Sequence, residues 1–159
     1  MSTMSSDTKI LVQAVLGNLS GQHNWSLLET HTRCATSGLP LPRTIISGLP
    51  PRRLYIHPDE QIEALELEKS GGKPPPQTPE FEWVLPVFLA ESWSLHDLAD
   101  VFASISPIPR PHVKCDDNDS SRKWNSSKRG KRLLLGIVHN DSTVLYYLVH
   151  DGIVKPRPN

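Results

Sequence analysis

Seven histidines are spread along 159 residues, and their spacing limits the chemistry they can do. None forms a His-x3-His pair and the two cysteines lie far apart, so no metal centre and no cofactor is expected. Asp116-Asp117-Asn118-Asp119 has the acidic density of a calcium loop but lacks the central glycine and the closing glutamate. No glycine-rich phosphate loop and no Gly-x-Ser-x-Gly nucleophile elbow occurs. The densest charge lies in Arg122 to Arg132, with six cations in eleven residues. Arg122, Lys123, Lys128, Arg129, Lys131 and Arg132 have the chemistry to touch RNA phosphates, with Trp124 stacking on a base. The same run fits a nuclear-import signal or a solvated, flexible face, and all three readings stay open.

The elements that must position these groups follow from periodicity. Residues 7–19 read as a helix: Leu11, Val15 and Leu19 recur at four-residue spacing, Ser6 or Asp7 caps the start, and Ser20-Gly21 stops it. Trp25 to Thr30 reads as a short strand, with helix as the alternative. Residues 33–51 read as a loop holding one β-prone piece, Thr44-Ile45-Ile46, and Arg53 to Ile56 as a further strand. Residues 60–69 allow one or two helical turns. Phe81 to Leu89 reads as a strand that Pro86 should confine to an edge or a bulge. Ser94 and Asp97 are spaced as a capping box before an apolar stripe of Leu95, Leu98, Ala99, Phe102 and Ile105.

The last segment is the most regular. Leu133 to Val138 is apolar on both faces apart from Gly136, as a buried central strand requires. His139 to Ser142 reads as the turn of a hairpin, Val144 to Val149 as its second strand, and Asp151-Gly152 as another turn. The expected fold is a small α+β domain on a mixed, largely antiparallel sheet flanked by helices. One domain spans 1–159, with a flexible start at 1–6, a Pro/Gly-rich loop at 70–79 and a mobile polar insertion at 106–130.

Composition narrows the class further. Seventeen basic residues balance seventeen acidic ones, so no overall field draws the molecule to nucleic acid or membrane. Fifteen prolines gather in the connections. Two distant cysteines are expected to be reduced thiols. No leader pattern opens the chain and no run approaches the roughly 18 apolar residues of a membrane span, which predicts a soluble intracellular protein.

Laid end to end, these elements resemble the smallest, non-catalytic subunit of the eukaryotic tRNA-splicing endonuclease. The resemblance is carried by Leu133-Leu134-Leu135-Gly136-Ile137-Val138-His139-Asn140-Asp141-Ser142-Thr143, then Val144-Leu145-Tyr146-Tyr147-Leu148-Val149, then Asp151-Gly152 with Pro156. Weaker matches are the opening helix with Trp25, and Trp83 to Val87 leading to a Ser-capped helix. The match covers most of residues 9–157, outside the proline-rich loops and the 106–130 insertion. It implies a domain similar to the C-terminal, restriction-endonuclease-like domain of tRNA-intron endonucleases. It further implies a direct partner, the catalytic subunit that cuts at the 3′ splice site, within a four-subunit enzyme acting on precursor tRNA. Val144, Leu145, Tyr146, Tyr147, Leu148, Val149, Ile153 and Val154 would form the interface, by adding a strand to a neighbouring sheet. An apolar terminal strand left unpaired would be an aggregation liability, so a partner is physically expected, or a homodimer when the chain is alone. Asp141 or Asp151 would belong to an acidic loop that joins dimers into the larger assembly. The nucleus is the expected compartment, with the cytoplasmic face of the mitochondrial outer membrane as the alternative.

The same resemblance bears on catalysis. Metal-free RNA cleavage of this kind takes a base for the 2′-hydroxyl, an acid for the leaving oxygen and a cation for the phosphorane. The resemblance places its lysine at Lys131 and its tyrosine near Tyr55, while the strand that should open on histidine reads Glu80-Phe81-Glu82-Trp83. Losing that proton-transfer group alone costs roughly 10²–10⁴-fold. The chain is therefore expected to be catalytically silent. The alternatives are a weak metal-independent ribonuclease using Tyr55, Lys131 and a displaced His57 or His112, or an RNA-binding module using the basic segment.

Overall fold

The computed structural model describes residues 6–34, 37–56, 58–73, 79–107, 109 and 130–152. Ile153, Val154, Arg122, Lys123, Trp124, Lys128, Arg129, His57 and His112 lie outside the described residues, as do most of the 106–130 insertion and five residues of the 70–79 loop.

Three helices and five strands follow one another as α1 (Ser6–Gly21), β1 (Ser26–Arg33), β2 (Pro40–Leu49), α2 (Pro58–Lys69), β3 (Glu82–Phe88), α3 (Leu95–Ser104), β4 (Arg132–Val138) and β5 (Val144–His150). The strands form one sheet in chain order, β1-β2-β3-β4-β5. Every pair is antiparallel except β3–β4, whose parallel register runs from Val84↔Leu134 to Phe88↔Val138. That pair needs a crossover, which α3 supplies. The fold is α+β with a mixed, largely antiparallel sheet, as the sequence predicts. Among the described residues no helix is long and apolar enough to cross a membrane.

Adjacent apolar residues in the central strands serve opposite faces, which explains their unbroken hydrophobicity. Ile46, Val84, Leu134 and Val138 pack under α1, against Leu11, Val12, Val15 and Leu19. Ile45, Trp83, Leu85 and Leu133 pack under α3, against Val101, Phe102 and Ile105. The two helices thus sandwich the sheet, and β4 is the buried central strand its composition requires. Gly136 lies where a Cβ would meet Val15 at 3.3 Å and Tyr146 at 3.4 Å, so the break in the apolar run leaves room for Val15 of α1.

Three sequence expectations are corrected. The presumed loop over 33–51 contains the ten-residue strand β2. Its prolines fit because the β2–β3 ladder covers only Ile46, Ser47 and Gly48, leaving Pro40 and Pro42 beyond it. Arg53 to Ile56 is irregular rather than a strand, with its side chains recruited by charges described below. Pro86 lies in an inner strand, not an edge, and no bulge interrupts the β3–β4 register. Its missing donor does no harm, because the ladder to β2 has ended at Val84 and the Arg43 guanidinium donates to the Pro86 carbonyl at 3.3 Å. The side of Pro86 that faces β2 is a local edge.

Candidate partner interface

β5 ends the sheet. It pairs with β4 without interruption from Arg132↔His150 to Val138↔Val144, and among the described residues no strand lies on its other side. The hairpin that launches it is fixed by the His139 amide donating to the Thr143 carbonyl at 2.8 Å and the Ser142 amide donating to the His139 carbonyl at 3.0 Å. Ser142 takes the left-handed φ of 69° that the turn requires. Asp141 accepts from the Thr143 amide at 3.0 Å, and its hydrogen bonds to the Thr143 side chain and backbone hold its carboxyl below the usual carboxylate range. Asp151 follows β5, its amide donating to the Lys131 carbonyl at 2.9 Å. Asp141 and Asp151 therefore sit at opposite ends of β5, not in one loop.

The strand's two faces differ. Val144, Tyr146 and Leu148 pack inward against the α1 cluster, and the Tyr146 hydroxyl donates to Asn18 Oδ1 at 2.6 Å. Burial pushes the Tyr146 phenol up to about 12. On the opposite face Val149 meets the α3 cluster, whereas Leu145 and Tyr147 stay 42% and 57% exposed. Register sets Leu135 beside Tyr147 and Ile137 beside Leu145. Half-buried Leu135 and Ile137 thus join them in an apolar patch running to the bare edge.

The other end of the sheet is finished differently. β1 carries register shifts between Ser26 and Glu29 and between His31 and Arg33, with Leu27 at a left-handed φ of 53°. Bulges and charged side chains are the usual means of making an edge unfit for pairing.

The corner that brings together Tyr55, Glu80, Glu82 and Arg132 is filled by ion pairs. Arg132 is buried and reaches both carboxylate oxygens of Glu82, at 3.2 and 3.1 Å from Nε, and Glu80 at 2.8 Å from Nη2. Arg53 bridges Glu80 and Glu60. Burial would lower the guanidinium of Arg132, but hydrogen bonding to Glu82 and the charges of Glu82 and Glu80 outweigh it and hold the group above its ordinary value. Tyr55 lies with its ring 5.2 Å under Arg132 and 4.6 Å from the His150 ring, edge to face. Lys131 donates its ammonium to the Phe102 carbonyl at 2.8 Å, which caps the last turn of α3. Lys131 and Arg132 therefore commit donors inside the molecule, while the rest of the basic run lies outside the described residues.

The sequence showed Glu80 and Glu82 where histidine was expected, but not their pairing with Arg53 or the inward turn of Arg132. The signal was available: two acids at strand spacing must share a face, and buried acids need cations. Among the described residues no three or more His, Cys, Asp or Glu side chains group as a metal site would.

The fold and its edge define an α+β domain with a five-stranded mixed sheet that, among the described residues, is open along β5. A family model described as Sen15 protein matches residues 14–159. A Neurospora crassa protein named "probable tRNA-splicing endonuclease subunit tsp-1" is 45% identical over 163 residues, covering all of this chain and 71% of that protein. A Schizosaccharomyces pombe protein named "probable tRNA-splicing endonuclease subunit sen15" is 37% identical over 78 residues, covering 49% of this chain and 50% of that protein. The chain belongs to the Sen15 protein family.

Proposed function

We propose that this chain is a non-catalytic, structural subunit of a tRNA-splicing endonuclease that adds β5 to the sheet of a catalytic subunit. The observation that carries the reading is the contrast between the sheet's ends: β5 is regular, apolar and bare, whereas β1 is bulged. Strand addition supplies main-chain hydrogen bonds, and Leu145 and Tyr147 supply side-chain selectivity. Membership of the Sen15 family and the endonuclease-subunit names of two fungal relatives support the assembly.

Catalytic silence has its own support. Glu80 and Glu82 hold the strand position where histidine would stand, and Lys131 is an α3 cap. A scissile phosphate brought to this corner would meet carboxylates already paired with the buried cations. The nucleus is the compartment in this reading, and a fluorescent fusion of the full chain excluded from the nucleus would refute it.

The test is co-expression with the endonuclease's catalytic subunits, followed by gel filtration. A one-to-one complex that Tyr147→Asp dissolves supports the reading, because Tyr147 points outward and the isolated variant should still fold. An unchanged complex would remove β5 from the interface. Cleavage of intron-containing precursor tRNA by the purified chain alone, lost in Lys131→Ala, would overturn silence.

A further inference from the structure

Hydrogen bonds at the two ends of the β4–β5 pair fix which main-chain groups reach the bare edge. The His139 amide donates to the Thr143 carbonyl at 2.8 Å, and the Asp151 amide donates to the Lys131 carbonyl at 2.9 Å. Facing residues of an antiparallel pair alternate between bonded and unbonded. Ile137–Leu145, Leu135–Tyr147 and Leu133–Val149 are therefore the bonded pairs between these ends. The other side of β4 agrees, since the Val138 carbonyl accepts from the Leu89 amide, just past β3, at 3.0 Å. Leu145, Tyr147 and Val149 thus direct their amides and carbonyls to β4. Val144, Tyr146 and Leu148 turn theirs to the open edge.

We infer that a second copy of this chain pairs antiparallel with β5 about a two-fold axis through Tyr147, and that this pairing withholds the edge from a catalytic subunit. In an isologous pair, outward-turned residues must meet outward-turned ones, so the axis passes through a residue and not between two. Tyr147 is the middle of Val144–His150, so an axis there pairs the whole strand and sets Tyr146 opposite Leu148 of the second copy. Tyr147 then faces its own counterpart in an unbonded pair, where side chains come closest, with about 4.5 Å between Cα atoms. Its exposed ring is placed for the aromatic contact that favours such pairs. An axis through Tyr146 would forgo that contact, because the Tyr146 hydroxyl is turned inward to Asn18. Leu145 meets Val149 on the same face, so the apolar patches of the two copies become continuous. The inference rests on reading β5 as the pairing edge and adds its regulation: copies must separate before a catalytic subunit can bind.

Single-cysteine crosslinking of the full chain tests it, in a Cys34→Ser/Cys115→Ser background under mild oxidation. Tyr147→Cys should form a disulfide-linked dimer, because its Cα separation falls within the range of about 4.4–6.8 Å that a disulfide spans. Leu145→Cys lies on the same exposed face but about 14 Å from its own counterpart in this register. It should link at least about tenfold more slowly, being beyond the reach of roughly 7 Å. The locked Tyr147→Cys dimer should then fail to join the endonuclease's catalytic subunits until a reductant is added. Leu145→Cys linking as fast as Tyr147→Cys, or neither linking, would overturn the inference. The proposed function would then stand on the Tyr147→Asp result alone. A locked dimer that still joins the catalytic subunits would leave the register standing, but would overturn both the withholding of the edge and the use of β5 in the complex.

Discussion

The single residue with most at stake is Arg132. Glu82 is fully buried and Glu80 nearly so, and Arg132 is the cation they share. A buried ion pair adds little net stability compared with apolar residues of the same volume, yet removing one member strands an uncompensated charge. Arg132→Met should therefore cost about 3–5 kcal/mol, against a total of roughly 5–15 kcal/mol for a domain of this kind. Arg132→Met/Glu82→Leu should recover much of the loss in urea denaturation. No recovery would mean that packing, not charge, dominates the corner. Tyr146 makes a pH prediction. Its folded phenol is held up at about 12 by burial, above the ordinary value near 10. Stability is thus fully present below pH 10 and falls as pH rises toward 12, since the unfolded chain gives up the proton first. The urea midpoint should decline more steeply above pH 10 in the wild type than in Tyr146→Phe; parallel declines would refute the assignment. At neutral pH the variant should lose about 0.5–1.5 kcal/mol with its hydrogen bond to Asn18.

Among the elements, α3 was the most legible from sequence, because its start is written locally. The Ser94 hydroxyl accepts from the Asp97 amide at 3.1 Å, and the Asp97 carboxylate accepts from the Ser94 amide at 3.0 Å, the reciprocal cap expected from the spacing. Ser94→Ala should cost about 1 kcal/mol, read as a lower thermal midpoint. A change below about 0.3 kcal/mol would mean that the apolar face alone fixes this helix. The β4–β5 hairpin was legible for the same reason, since its turn and both apolar runs lie within a short stretch of chain. β2 was not, because its pairing with β1 and β3 is non-local and outweighs its two prolines and its glycine. Gly48 shows how. A Cβ there would lie 2.5 Å from the Leu28 side chain and 3.0 Å from Trp25, so glycine in β2 makes room for β1 rather than breaking a strand. The segment expected to hold the interface was legible as a strand, Val144–His150. Which face of β5 turns outward depended on where α1 and α3 settle, and no local pattern encodes that.

At the scale of the whole molecule, the unequal edges limit what can be assembled. A sheet with two free edges can add copies without end, whereas one with a single free edge stops at a pair. β1 is interrupted by its bulges, and β5 runs straight through seven paired positions. Purified by itself, the chain should form dimers through β5 as concentration rises, and no larger species. Sedimentation velocity over a hundredfold concentration range measures this directly. Leu145→Lys/Tyr147→Lys should leave a monomer at every concentration, because two like charges per chain would face each other across the new strand pair. Thr30→Lys, on the β1 edge, should leave the dimer untouched. A ladder of trimers and tetramers in the wild type, suppressed by Thr30→Lys, would show that the bulges fail to blunt β1. The asymmetry would then lose its force, and the pairing partner would have to be sought at both ends of the sheet.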